Sequence, residues 1–392
     1  MSTDLQYDFG IEGENYSFKD KLALFLYALY FILAPFYLWQ SGLPQLADFI
    51  FVLLILFLVV TGKFSVSINT DNKNFILTGF LFVFYIFFVN LTWIMLLQTT
   101  DRFIMSSLFY LYNYKNNIIK ITFYAVLLSI IIQIILYFIG GGFVGTRMVS
   151  SFNNPNQLGY FALMSASILI FASYKIQLKP KLLLLGIVFA LILVFASLSK
   201  AAIISYIGLA LFFLFSRNKN KKFKRNFTIS VLLLVLIFSI AYNTTSVIKH
   251  NQLISSVQSR IAKIGHDSDD TIEGRYYHRI YAYPQYWLFG AGEGMYSRFN
   301  SRVELHSTLG NIQVSYGMIG TILFIILILL ALKKDHYRSW YILFFIMMYG
   351  LTHNGIRNSL LWILLALISC NSSSIRNKKV SKHINREIKN EF

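Results

Sequence analysis

The feature that most constrains this chain is the length of its apolar runs. Phe75 to Gln98, Ile118 to Ile139, Val231 to Tyr242 and Leu309 to Leu332 are each broken by few or no charges. A helix needs about 20 apolar residues to cross a bilayer, and a soluble core helix is shorter and striped rather than apolar all round. The runs lack the two-residue alternation of an outer-membrane barrel strand, so they argue for helices. Composition agrees: 56% of the 392 residues are hydrophobic and 13% are charged, against about 25% charged in an ordinary soluble domain. The expected fold class is an all-α polytopic membrane protein with about 12 transmembrane helices and one large periplasmic loop containing short helices.

The spans expected are 22–39, 46–62, 75–92, 102–114, 118–139, 155–174, 182–198, 201–216, 226–243, 309–332, 340–353 and 358–370. This divides the chain into a cytoplasmic segment 1–21, helices one to nine over 22–243, a water-facing loop at 244–308, helices ten to twelve over 309–370, and a basic cytoplasmic tail 371–392. The polar, mixed-charge first twenty residues do not read as a cleaved signal peptide. The net charge of +18 does not point to nucleic acid, because the cations sit in short loops between apolar blocks. With both termini cytoplasmic, 24 of the 35 Lys and Arg residues fall on the cytoplasmic side. Short-loop basic residues set orientation, whereas long loops translocate regardless of charge, so 244–308 is expected to face outward.

Several basic residues break that rule and need another reason to be where they are. Arg147 follows a glycine-rich stretch, Gly140-Gly-Gly-Phe-Val-Gly-Thr-Arg147. Lys200 sits at a tight turn between two short helices, and Arg275 and Arg279 lie in Glu273-Gly-Arg-Tyr-Tyr-His-Arg279. Arg298 and Arg302 follow the Gly290 to Gly294 turn, and His306 lies beside Glu304 just before the tenth span. Cations gathered from separate segments at one membrane face suit an anionic lipid head group, since guanidinium groups grip phosphate bidentately and ammonium groups act as point charges. The bland alternatives stand beside this reading. Arg298 and Arg302 also suit a solvated helix face, Arg275 and Arg279 an ion pair with Glu273 or the Asp267–Asp270 cluster, Lys200 snorkelling, and His306 a surface histidine. His266 with Asp267, Asp269 and Asp270 lacks metal-ligand spacing and reads as a solvated acidic turn; one cysteine, Cys370, excludes a disulfide. Gly290, Gly292 and Gly294 read as a flexible turn rather than a phosphate-binding loop. His353-Asn-Gly-Ile-Arg357 reads as a short outer turn polar enough to line a cavity.

In order and topological place, these residues resemble the bacterial O-antigen polymerase and O-antigen ligase superfamily. The resemblance rests on four pieces. They are Gly145-Thr-Arg147 with Phe152-Asn-Asn-Pro-Asn-Gln-Leu-Gly159; Ser199-Lys200-Ala201; Gly274-Arg275 leading to Trp287-Leu-Phe-Gly-Ala-Gly292; and His306-Ser-Thr-Leu309 followed by Ser315-Tyr-Gly-Met-Ile-Gly320. Lys200 stands where the family often has arginine, and Ser307 where ligases commonly have asparagine.

The resemblance implies a metal-independent membrane glycosyltransferase of the bacterial inner membrane. It would need no cofactor and would use an undecaprenyl-diphosphate-linked glycan donor and a lipid-linked acceptor. It implies that Arg147, Lys200 and Arg275 bind the diphosphate and that His306 acts as general base. Asn156, Tyr276, Arg279 and Glu304 are the expected further substrate contacts. Polymerisation of O-antigen or capsule repeat units is favoured over ligation of a glycan to lipid A core; a chain-length regulator and a flippase are the implied pathway partners. A secondary transporter is the rival of another class, disfavoured by the apolar helix centres and the absence of a clear two-half repeat.

Overall fold

The computed structural model describes residues 17–39, 44–62, 73–91, 115–145, 147–217, 262, 271, 273–293, 299 and 305–370. The expected spans 102–114 and 226–243, the 266–270 cluster, Arg298, Arg302, Glu304 and the tail lie outside the described residues. Ten helices overlap the other ten expected spans: α1 (Phe18–Leu33), α2 (Leu46–Val60), α3 (Lys73–Leu91), α4 (Lys115–Phe138), α5 (Pro155–Lys175), α6 (Pro180–Ser197), α7 (Lys200–Arg217), α9 (Thr308–Lys334), α10 (Trp340–Gly350) and α11 (Ser359–Cys370). A one-turn helix, α8 (Arg279–Ala282), lies between α7 and α9. Among the described residues five helices, α3, α4, α5, α6 and α9, are long and apolar enough to cross a membrane, and α2, α7, α10 and α11 are shorter apolar helices. The chain is a multi-pass membrane protein.

Local chemistry sets where the helices begin. Ser17 caps α1, its hydroxyl accepting from the Asp20 N–H at 3.3 Å while the Asp20 carboxylate accepts from the Ser17 N–H at 3.0 Å. Asn154 caps α5 ahead of Pro155, which spends its missing N–H where the helix has no partner for one. Ser307 caps α9 through the Gly310 N–H at 3.2 Å.

Helix α5 is the centre of the bundle: 83% of it is buried, against 39–50% for the other four long helices, whose outer faces are left for lipid. It packs on α4, α6, α7, α10 and α11, while α9 packs on α3 and α11. At the ends of α5 and α9 remote from their capped starts, Lys175 and Asp335 form a buried ion pair, and the Ser339 hydroxyl donates to Asp335 at 2.5 Å.

Two features depart from the sequence reading. The glycine-rich stretch folds as an antiparallel hairpin, β1 (Gly142–Val144) with β2 (Arg147–Ser150), so the molecule is not purely helical. Glycines at 140 to 142 end α4, and Gly145, at φ 60°, makes the reversal that side-chain-bearing residues resist. Ser150 Oγ donates to the buried Gln133 Oε1 (2.6 Å) and Ser151 Oγ to the Pro35 carbonyl (2.7 Å), fixing the hairpin to α4 and α1.

The second is a break in α9. Gly317 adopts φ 63°, ψ −166°, which is not helical, and the segment Trp287–Gly292 docks into the gap. Ala291 and Gly292 N–H groups donate to the Val314 and Ser315 carbonyls (2.8 Å each), and the Met318 and Ile319 N–H groups donate to the Trp287 and Leu288 carbonyls (2.6 and 3.4 Å). The Tyr85 hydroxyl of α3 reaches the Phe289 and Tyr316 carbonyls at 2.9 and 3.0 Å. In hydrocarbon an unsatisfied backbone group costs several kcal/mol, and the docked segment supplies what the broken helix lacks. Gly290 and Gly292 are therefore part of a packed plug rather than a flexible turn, because the Leu288 carbonyl and the Ala291 and Gly292 N–H groups are committed to α9; Gly294 lies outside the described residues.

Candidate functional site

Arg147 is positioned by β2. Its Nε donates to the Ser197 carbonyl (3.1 Å) and its Nη2 to Asn156 Oδ1 (2.6 Å), so the guanidinium bridges the end of α6 and the start of α5. The approach is close because Gly159 faces the turn: a Cβ there would lie 2.7 Å from Ser197 Oγ and 3.1 Å from Ser199 Cβ. That turn closes through Leu198 in the left-handed region (φ 51°) and delivers Lys200 as the first residue of α7.

Arg275 and His306 are joined by backbone: the His306 N–H donates to the Arg275 carbonyl at 3.3 Å. The Arg275 Nη1 donates to the Thr352 carbonyl, and Tyr277 Oη donates to the Leu351 carbonyl, so this part of the large loop lies on the turn between α10 and α11. From the other side Thr308 Oγ1, at the start of α9, donates to the His353 carbonyl (3.0 Å) and accepts from the Gly355 N–H (2.9 Å). Gly350 makes room for this, since a Cβ there would lie 2.9 Å from Thr308 Oγ1.

His353 is where these strands of contact meet. Its ring stacks on Tyr349 (centroids 4.7 Å apart), and Tyr349 stacks on Tyr160 of α5 at the same separation. Tyr349 Oη donates to the Asn156 carbonyl (3.0 Å), and the Thr352 hydroxyl lies 2.9 Å from His353 Nδ1. Burial first, then the positive charges of Arg275, His306 and Arg147, push the His353 imidazole down to about 3, so it stays neutral at working pH. Arg147, Asn156, Arg275 and His306 are thus brought to one end of the bundle by α5, β2, the large loop and the start of α9. The His306 residue is exposed, while Arg147 and Arg275 are half-buried.

The other expected residues fall elsewhere. Lys200 shares a turn with the Ser197 carbonyl that holds Arg147. Arg279 is 2% exposed, with its guanidinium over the rings of Tyr276 (4.6 Å) and Phe299 (5.2 Å). Tyr276, at φ 62°, serves as one wall of that aromatic cradle. Both contribute to packing of the loop in the segment that also carries Arg275.

The turn His353–Arg357 does line a cavity, as its polarity suggested, and one residue that sequence reasoning passed over, Glu293, stands behind it. A cavity of about 270 Å³ is lined by Asn154, Asn156, Tyr160, His353, Asn354, Arg357 and Asn358, among others. Arg357 lies between it and the fully buried Glu293, with Nε 4.0 Å from Glu293 Oε2. Glu293 sits at the end of the plug, where it accepts from Tyr316 Oη, and its N–H donates to Asn90 Oδ1 at 3.0 Å. Arg357 was detectable: it is a cation in an outward turn, against the same bias that singles out Arg147. Glu293, an acid between two glycines, carried no comparable signal.

Comparison with curated proteins gives no match. A family model described as O-Antigen ligase matches residues 185–325, the stretch that carries Lys200, Arg275, His306 and the broken helix α9. The match covers about a third of the chain and supports its placement in the O-antigen ligase and polymerase superfamily of glycan-assembling membrane proteins.

Proposed function

We propose that this chain transfers a glycan from an undecaprenyl-diphosphate-linked donor to a hydroxyl acceptor at the outer face of the cytoplasmic membrane. The observation that carries the reading is the convergence of Arg147, Arg275 and His306, from three separate elements, on the turn around His353. Two guanidinium groups tethered through one edge keep N–H groups in a fixed orientation for a diphosphate, and fixed donors stabilise charge that develops on a leaving group without reorganising. His306 takes the proton from the acceptor hydroxyl as its oxygen bonds to the anomeric carbon; the bond from that carbon to the diphosphate oxygen breaks, and the lipid diphosphate leaves toward Arg147 and Arg275. Neutral His353 adds no charge of its own, and its stack with Tyr349 and Tyr160 holds the surrounding backbone. Lys200 contributes a further positive charge from the neighbouring turn.

Within that reaction we take polymerisation of repeat units as the activity, on the resemblance of the Phe152 to Gly159 segment to polymerases. The description of the matching family model favours the second reading, ligation to a lipid A core. The orientation with both termini cytoplasmic belongs to the same proposal, because a diphosphate site at this end of the bundle must face the compartment that holds the lipid-linked glycan. The test is glycan analysis after loss of the gene. Accumulation of single lipid-linked repeat units supports polymerisation; long chains stranded on the carrier lipid support ligation; an unchanged glycan profile contradicts both.

A further inference from the structure

The cavity beside His353 has a chemistry of its own. In each of its four asparagines the amide oxygen is already engaged. Asn154 Oδ1 accepts from the Asn156 N–H (2.8 Å), Asn156 Oδ1 from Arg147 (2.6 Å), Asn354 Oδ1 from the Ile356 N–H (3.3 Å) and Asn358 Oδ1 from the Leu360 N–H (3.0 Å). Each oxygen therefore keeps one lone pair at most, whereas the NH2 groups, which donate only, keep both of their hydrogens to offer. Arg357, the cation of the lining, is also a pure donor, and its charge is balanced by Glu293 behind it. A second carboxylate, Asp48, lines the cavity and accepts from the Gln45 N–H at 2.7 Å. The lining is therefore rich in donors but not in net positive charge, which suits a neutral ligand whose outer atoms accept. At about 270 Å³ the cavity lies just below the range of about 300–1,000 Å³ for pockets that hold drug-sized ligands, which leaves room for one sugar ring and not for a polyprenyl chain.

We infer that this cavity is a specificity subsite for one pyranose residue of the glycan, and that it selects an acetamido sugar, whose amide carbonyl is a strong uncharged acceptor. The inference rests on the glycan-transfer reading for its place in a reaction, but the binding it asserts can be measured without any transfer. The sugar belongs either to the donor or to the acceptor, and the chemistry of recognition is the same for both.

The asparagines permit an unusually clean perturbation. Asn358→Asp keeps the oxygen that caps α11 and Asn354→Asp keeps the oxygen that holds the Ile356 N–H, while each replaces the amide donor of a lining residue with an acceptor. Saturation-transfer-difference NMR on the full chain in detergent micelles would compare methyl N-acetylglucosaminide, methyl glucoside and methyl glucuronide. The expected result is a signal for the acetamido glycoside at least threefold above the other two, falling at least threefold in both variants. No signal from the acetamido glycoside, a glucuronide signal as large or larger, or a signal unchanged by Asn358→Asp would each overturn the assignment. In a transfer assay, Asn358→Asp raises the KM threefold or more for whichever substrate, donor or acceptor, places its sugar here, and leaves the other within twofold; an unchanged KM for both contradicts the subsite. Sugar binding without transfer would refute the reaction and leave the cavity standing, whereas transfer indifferent to Asn358→Asp would do the reverse.

Discussion

Replacing Gly317 with alanine tests how far the plug and the broken helix depend on each other. A Cβ at this position would lie 2.3 Å from the Leu288 oxygen, 2.4 Å from its carbonyl carbon and 2.6 Å from the Gly290 nitrogen, all of them backbone atoms with no side-chain freedom to yield. The conformation itself, φ 63° with ψ −166°, is one essentially reserved for glycine and costs a side-chain-bearing residue about 1–3 kcal/mol. Relieving the overlap means moving Trp287–Gly292 away from α9, which weakens up to four backbone hydrogen bonds worth about 1 kcal/mol each. With about half of that hydrogen-bond energy lost, together these give about 3–5 kcal/mol. Gly62→Ala is the control: Gly62 also has positive φ (67°), but nothing lies within 4 Å of its Cβ position, so its cost is about 1 kcal/mol from backbone conformation alone. Thermal unfolding in detergent would rank the two variants, and hydrogen exchange over 287–293 and 314–319 would locate the damage. If Gly317→Ala unfolds with Gly62→Ala and exchange in those segments is unchanged, the reciprocal capping of plug and helix is wrong.

Other outcomes follow from the same contacts. Asp335→Ala leaves Lys175 buried without its carboxylate and should lower stability by about 3–5 kcal/mol, whereas Lys175→Met with Asp335→Leu together should recover most of that; paired melting curves decide it. His353 has a folded pKa near 3, below its ordinary value of about 6.5, so the unfolded chain binds a proton that the folded one refuses as pH falls from about 6.5 toward 3. Stability should decline across that window, and His353→Gln should flatten the decline in a melting-temperature series against pH. Arg147→Lys should reduce transfer about 100-fold, because an ammonium cannot hold both the Ser197 carbonyl and Asn156 while presenting further donors. Lys200→Arg should retain activity and Lys200→Ala should lose most of it.

The apolar runs were readable as helices because a bilayer-crossing segment announces itself by length alone, and helix starts at Ser17, Pro155 and Ser307 carry capping residues. The break in α9 was not readable. Gly317 lies in an apolar run that also holds Gly310 and Gly320, where no one glycine stands apart, and only contact with Trp287–Gly292, earlier in the chain, forces its conformation. The hairpin around Gly145 was visible as glycine-rich but not as strands, since four residues of β2 are too few for alternation to register. Arg147, Arg275 and His306 stand out in the sequence because each is an ionisable group placed against the insertion bias. Arg279 met the same criterion for a different reason, its charge being absorbed by Tyr276 and Phe299. The contacts of Glu293 and the engaged oxygens of the four asparagines depend on three-dimensional hydrogen-bond partners, which no local pattern encodes.

The central claim is that Arg147, Arg275 and His306 form one glycosyl-transfer site. It is tested most directly by single-turnover transfer with purified protein and a lipid-diphosphate-linked repeat unit, wild type beside His306→Ala and Arg275→Ala. Wild-type protein is expected to give product with release of lipid diphosphate. A loss of about 100-fold or more is expected in each variant, at unchanged melting temperature for His306→Ala and with a lowered one for Arg275→Ala, which gives up its bond to the Thr352 carbonyl. Near-normal transfer by either variant, or no transfer by the wild-type protein, would contradict it.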